Sequence, residues 1–385
     1  MEWGDVNGWV GLGGAKLGSK RELPTGKQMD KIAENLRKFE LQGLVVIGGF
    51  EAFQSVLMLY ERRESFPEFC IPMVVLPATI SNNVPGTDFS LGADIAVNEL
   101  TGVCDRLRQS AAGTKRRVFI VETMGGYCGY LATMAGLAGG ADAAYVKEEP
   151  IGIRDLMYDL EVLTSKLDAG KVERGLILRN EKCNDNYSTD FLYRLFAEEG
   201  KGMFSARKNV LGQMQQGGYP SPFDRNFGIK MAAKANIWMM EQIGKEGVVS
   251  AIDKESACLL GMRGMCYQFQ PLEDLKAETN FELRTWKVTW WKNQRSIMKV
   301  LALHVSEYED EETGSKYVIV DGPVGAWCAE GAGSSSASGP PAAKAAKTSG
   351  GVANNSNSWR FRTRSGARRC FGATSAAANE HLNSQ

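Results

Sequence analysis

Four polar clusters in this sequence each follow a short apolar run. Gly48-Gly49 follows Leu44–Ile47, Thr79-Ile80-Ser81-Asn82-Asn83 follows Met73–Leu76, Met124-Gly125-Gly126 follows Val118–Val121, and Arg179–Glu181 follows Gly175–Leu178. Short hydroxyl and amide side chains beside glycines can hold a polyhydroxylated ligand, because they donate and accept hydrogen bonds while the backbone approaches closely. They cannot do base chemistry. A serine such as Ser81 accepts no proton near neutral pH, and a missing general base costs about 10²–10⁴ in rate. The two histidines, His304 and His381, lie in no site-like motif, so a His base or His metal cluster is not expected. Cys128 has no accompanying base and reads as a small packed residue. The eight cysteines show no metal-ligand spacing.

The elements that must position these clusters follow from periodicity. Met29, Ile32, Leu36 and Phe39 recur at helical spacing ahead of the run Leu44–Ile47. Further strand-like runs are Met73–Leu76, Val118–Val121, Ala143–Val146 and Gly175–Leu178, with helical stretches at 154–168 and 189–199 between them. Such alternation predicts α/β lobes with mainly parallel sheets covered on both faces. Ligands bind such sheets beyond the carboxyl ends of the strands, where all four clusters fall. Ser221-Pro222-Phe223-Asp224 reads as a capped helix start with a capping box, and the helix is expected to run to about Gln242.

Lys plus Arg number 45 and Asp plus Glu number 45, so net charge gives no reason to seek nucleic acid or membrane. No apolar run approaches the roughly 20 residues of a membrane span. Scattered cysteines without a signal peptide read as a reduced, cytoplasmic protein. At 385 residues the chain can build two lobes with real cores. Residues 331–385 are rich in Gly, Ala and Ser and read as disordered. Their basic residues (Lys344, Lys347, Arg360, Arg362, Arg364, Arg368, Arg369) face one acid, Glu380, and a solvated extension is the plain reading.

Thr79–Asn83, Gly113-Thr114-Lys115-Arg116-Arg117, Glu122–Gly129 and Leu211–Gly218 together resemble the ATP-dependent 6-phosphofructokinases, from about Gly11 to about Leu303. More narrowly, they resemble the C-terminal, regulatory half of the duplicated eukaryotic enzyme. The resemblance implies the phosphofructokinase fold of two Rossmann-like three-layer lobes. The larger lobe is expected over 1–91 plus 219–305, the smaller sugar-phosphate lobe over 92–218, and a low-complexity tail over 306–385. The family's opening strand and glycine-rich loop have no match here, so the first strand is expected to be missing. The chain alone is then expected to be inactive, with Mg²⁺ and ATP belonging to the complete enzyme.

In catalytic halves of that family, the strand-end motif carries two aspartates, the first a general base. Ser81 and Asn83 stand at those positions, so no catalytic residue is assigned. The Mg²⁺-associated Gly-Gly-Asp-Gly resembles Gly48-Gly49-Phe50-Glu51, with Phe50 replacing the carboxylate, and no metal ligand is assigned. Glu51 fits a helix's first turn, where the dipole favours an acid. The regulatory half implies a pocket for fructose 2,6-bisphosphate. Its phosphates would need guanidinium forks, matched by Arg21, Arg117, Arg207 and Arg284. Thr79, Ser81, Asn82, Asn83, Met124, Gly125, Gly126 and Glu181 match the sugar contacts. Gln213, Met214, Gln215 and Gln216 match a phosphate flank, with Gln213 where relatives usually carry His. Arg117 is implied to reach a neighbouring subunit, so a homo-oligomer including catalytic halves is expected. Plainer roles remain open: strand-to-helix packing for Gly125 and Gly126, core for Met124, surface pairing of Glu181 with Lys182 or Arg179. An active phosphotransferase using Asp88 or Glu51, and a structural fragment that binds nothing, are the competing readings.

Overall fold

The computed structural model describes residues 2–114, 116–244 and 253–303, and three short strands beyond them. The strands are β1 Leu44–Gly48, β2 Met73–Pro77, β3 Arg117–Thr123, β4 Ala143–Tyr145, β5 Arg174–Asn180, β6 Ser205–Val210, β7 Ala257–Arg263, β8 Cys266–Pro271, β9 Thr279–Asn280, β10 Thr285–Trp286, β11 Glu307–Glu309, β12 Lys316–Val320 and β13 Ala326–Ala329. The α-helices are α1 Lys27–Lys38, α2 Phe50–Glu61, α3 Ala93–Ala112, α4 Tyr130–Gly139, α5 Ile153–Asp168, α6 Thr189–Glu199, α7 Pro222–Ile243, α8 Leu272–Lys276 and α9 Gln294–Leu301.

One four-stranded sheet has the order β1-β2-β7-β8, parallel except for the antiparallel β7–β8 pair. A second, all parallel, has the order β4-β5-β3-β6. Each is a middle layer between helices. In the first, Met73, Val75 and Leu259 pack on α1 and α2 through Met29, Leu36 and Phe53, while Val74, Leu76 and Leu260 pack on α7 through Phe227, Met231 and Trp238. In the second, Phe119, Val121 and Leu178 face α3 and α4, while Val118, Ile120 and Ile177 face α5 and α6. Every residue of β2 is buried, as a central parallel strand requires, so its sequence is a continuous apolar run. This is the expected arrangement of three-layer α/β lobes with mainly parallel sheets.

Several details differ from the sequence reading. Phe39 lies just past α1 and is 63% exposed, whereas Met29 and Leu36 are buried. Ser221 caps α7 by accepting from Asp224 N at 3.1 Å, but the Asp224 carboxylate does not return to Ser221. It accepts instead from Gly92 N (2.9 Å) and Ile95 N (3.1 Å), capping α3 and tying the two sheets' helices together. The segment carrying α9, expected with the first sheet, packs Trp291 and Met298 into the core of the second. Within the span expected as tail, β11, β12 and β13 form an antiparallel sheet; residues 330–385 lie outside the described ones.

Phe53 is completely buried between Phe50 (centroids 6.0 Å apart) and a stacked Phe281 (6.4 Å), pinning the β9–β10 hairpin onto α2. Phe53→Ala is expected to lower the unfolding free energy by about 3–5 kcal/mol, read as a lower urea midpoint at unchanged slope.

Candidate functional site

The carboxyl ends of β2, β3 and β5 and the loop after β6 supply the site. A parallel strand leaves backbone groups at its end that need partners, and the sequence provides them from buried polar side chains. Arg179, 3% exposed at the end of β5, donates to the carbonyls of Tyr187 (3.0 Å), Asn184 (2.9 Å) and Glu181 (3.2 Å) and to the Glu122 carboxylate (3.1 Å). Asn180, fully buried, donates to the carbonyls of Met124 (3.4 Å) and Cys128 (3.1 Å) and accepts from Lys182 N (3.1 Å). Sequence placed both in one of the four strand-end clusters but gave neither a contact or a supporting role. Their signal was a polar pair continuing an apolar run without a break.

On this base the loop after β3 is held from two sides. Met124 N donates to Gln215 Oε1 at 3.2 Å, and Gly126 N donates to Glu181 Oε1 at 2.9 Å. Gly125 has φ +128°, and a Cβ there would fall 2.6 Å from the Cys128 carbonyl, so only glycine fits. Cys128 is buried, and burial raises its thiol pKa far above the thiolate range, in keeping with a packed residue. At the N-terminus of α4, the half-buried Glu148 accepts from Gly129 N at 3.1 and 3.2 Å. Burial pushes its carboxyl above the ordinary range despite that amide and the nearby Arg295 and Lys292.

The loop after β2 comes beside the same cluster. Asn82 adopts φ +51°, donates to Asp88 O (2.8 Å) and accepts from Ser90 N (2.7 Å), so its amide closes its own loop. Its carbonyl lies 4.0 Å from Cys128 Sγ. Thr79 Oγ1 accepts from Ser81 N at 3.3 Å. Asn83 donates to the Arg284 carbonyl at 2.8 Å. Arg284, at φ +52° in the β9–β10 turn, extends Nη1 to Glu51 Oε1 at 2.6 Å. Glu51 sits in the first turn of α2, as expected, and Phe50 beside it is 2% exposed within the aromatic core.

Thus Thr79, Ser81, Asn82, Asn83, Met124, Gly125, Gly126, Glu181, Gln215 and Arg284 form one connected neighbourhood. Gln213, Met214 and Gln216 belong to the short 3-10 helix Gly212–Gln216 and point outward, Met214 being 86% exposed. Three arginines do not join within this chain. Arg21 is exposed in a segment without helix or strand. Arg117 opens β3, about 20 Å along the strand from its carboxyl end. Arg207 is exposed on the edge strand β6 and donates Nη1 to the carbonyl of Ala206 (2.8 Å). Registers Arg117↔Ser205 and Phe119↔Arg207 put both arginines on one face of the sheet, Arg117 on the interior strand β3 and Arg207 on the edge strand β6.

The residues present do not fit a Mg²⁺ site. Phe50 is turned into the core, Glu51 is taken by Arg284, and Thr79–Asn83 holds no carboxylate. Among the described residues no three His, Cys, Asp or Glu side chains converge for a metal ion. No described helix is long and apolar enough to cross a membrane. A larger cavity of about 380 Å³ lies at the opposite, amino end of the second sheet, where Lys166 pairs with Asp142 at 2.5 Å, away from the site residues.

Two α/β lobes with a polar site at their strand ends form the architecture of a ligand-binding α/β protein, and the profile of the family described as phosphofructokinase matches residues 1–239. The chain belongs to the phosphofructokinase family. It is 59% identical over 303 residues to the muscle-type ATP-dependent 6-phosphofructokinase of Mus musculus, covering 78% of this chain and 39% of that protein. The Homo sapiens muscle-type protein is likewise 59% identical over 303 residues, with the same coverage of 78% and 39%. The phosphofructokinase structure from Saccharomyces cerevisiae superposes with a TM-score of 0.75 at 36% identity, over 78% of this chain and 40% of that one. The chain therefore spans about two fifths of the length of the relatives it matches.

The half-buried Glu148 gives a pH test. Its folded pKa is raised, so its contribution to stability is full below the unfolded carboxyl value and is lost as pH rises through the folded one. Glu148→Gln, which keeps an acceptor for Gly129 without the charge, is expected to exceed wild type in Tm by a wider margin at pH 8 than at pH 5.

Proposed function

We propose that this chain is the C-terminal, regulatory half of a 6-phosphofructokinase, binding fructose 2,6-bisphosphate and controlling phosphorylation of fructose 6-phosphate in cytoplasmic glycolysis. The observation that carries the proposal is the asymmetry of the site. Groups suited to a sugar and its phosphates stand together, while the positions that would carry a base and a metal hold Ser81, Asn83 and the core residue Phe50. A pocket of this kind binds without transferring. Mg²⁺ and ATP would then be used by catalytic halves elsewhere in the complete enzyme.

The split of the arginines supports assembly. Arg284 lies beside the pocket of its own chain, whereas Arg117 at the start of the interior strand β3 and Arg207 on the edge strand β6 lie away from it and would serve a pocket of a neighbouring subunit. Arg117 Nε is buried and has no hydrogen-bond partner among the described residues. Effector binding at such a shared site favours the conformation that makes the contact, which is a coupling between subunits.

Isothermal titration with fructose 2,6-bisphosphate, beside fructose 6-phosphate plus Mg-ATP, tests this directly. Selective binding of the bisphosphate is expected, weakened at least about tenfold in Arg207→Ala through loss of a charged hydrogen bond, with no sugar-dependent release of ADP. Full affinity in a proven monomer would contradict the shared pocket. Turnover would return the active phosphotransferase, and no heat from a folded chain would return the structural fragment.

A further inference from the structure

We propose that Glu51 is a built-in competitor for the phosphate site: its carboxylate occupies the Arg284 guanidinium and must be displaced by an incoming phosphate. The proposal deepens, and rests on, the sugar-bisphosphate role above. Arg284 is the one expected phosphate-binding arginine that the fold brings to the strand-end cluster of its own chain, and it arrives already paired, Nη1 to Glu51 Oε1 at 2.6 Å.

The setting around Glu51 is that of an anion site. The carboxylate lies in the first turn of α2, whose N-cap Gly49 offers no side chain to the free amides. Helix amides and a guanidinium together favour a negative group at this point. Glu51 is 19% exposed and Arg284 is 52% exposed, so the pair faces solvent on the guanidinium side and is reachable. The backbone beneath is fixed. Asn83 holds the Arg284 carbonyl at 2.8 Å, and Phe281 of the same turn packs on Phe50 and Phe53. Exchange of partners therefore needs only the side chains to move.

Two anions cannot share this guanidinium without repulsion. A carboxylate carries one charge and a phosphate up to two, so a phosphate displaces Glu51 where a weaker anion does not. Glu51 thereby sets a threshold that favours strongly charged phosphate groups. Were Glu51 instead a positioning residue for Arg284, removing its charge would weaken phosphate binding, so the two roles predict opposite signs.

The test follows Arg284 itself. Arylglyoxal modification of the full chain, with the Arg284 peptide quantified by mass spectrometry, is run across a series of inorganic phosphate concentrations. In Glu51→Gln the unprotected rate is expected to rise by about three- to tenfold, and half-protection to need about five- to tenfold less phosphate, as expected for loss of one neighbouring charge at partly solvated distance. Glu51→Ala should shift protection the same way. Unchanged or weakened protection in both variants would overturn the competitor. Replacing phosphate by fructose 2,6-bisphosphate separates the two proposals: equal protection by the two compounds, with the Glu51→Gln shift intact, supports the competitor and removes the sugar-bisphosphate reading.

Discussion

The end of a parallel sheet is a row of carbonyls and amides with no next residue to pair them, and the site depends on how this is resolved. Arg179 and Asn180 resolve it at the ends of β3 and β5. A guanidinium buried at 3% exposure survives because carbonyls and the Glu122 carboxylate satisfy it in several directions. A lysine could supply the charge but not that fan of planar donors. With these strand ends fixed, Gly125 can adopt its strained φ and present Met124 N and Gly126 N to Gln215 and Glu181. The loops that would touch ligand are thus held by residues that would not.

The first sheet has taken a different course at the corresponding ends. Phe50 is spent on the core, where it joins Phe53 and Phe281. Glu51 then becomes the exposed acid at the head of α2 and meets Arg284. Phe50 and Glu51 are neighbours in sequence, so the start of α2 sets both the aromatic cluster and the ion pair.

Much of this was legible in the sequence. The buried strands β2, β3 and β5 announce themselves as apolar runs, and the polar clusters fall at their ends because parallel strands are read in one direction. The β7–β8 hairpin was missed although only Gly264-Met265 separates its strands and Tyr267-Gln268-Phe269-Gln270 alternates apolar with polar; the run is short, and two of its four residues are glutamines rather than the β-branched residues that mark a strand. Asp224 shows why a local motif misleads. Its spacing from Ser221 suggests a capping box, yet α3 offers a second set of free amides nearby in space, and the carboxylate goes there. Burial raises the Asp224 carboxyl pKa even so, which marks the cost of joining two lobes through a charged group. The Glu51–Arg284 pair spans most of the chain and was invisible for the same reason: sequence spacing records neighbours along the chain, not across a fold.

The arginines carry the argument beyond the single chain. Resemblance placed Arg117, Arg207 and Arg284 in one phosphate-binding set, but the fold separates them by the length of a β-strand. A rigid sheet cannot bring its opposite ends together, since the strand between them is covered by cores on both faces. If all three meet one ligand, the Arg117 and Arg207 that reach it must belong to a different copy from the Arg284. Ligand affinity and assembly would then be linked quantities, each strengthening the other by the same factor. A chain with only its own arginine would keep a weak, Glu51-guarded pocket. An assembled chain would hold enough positive charge to displace that carboxylate.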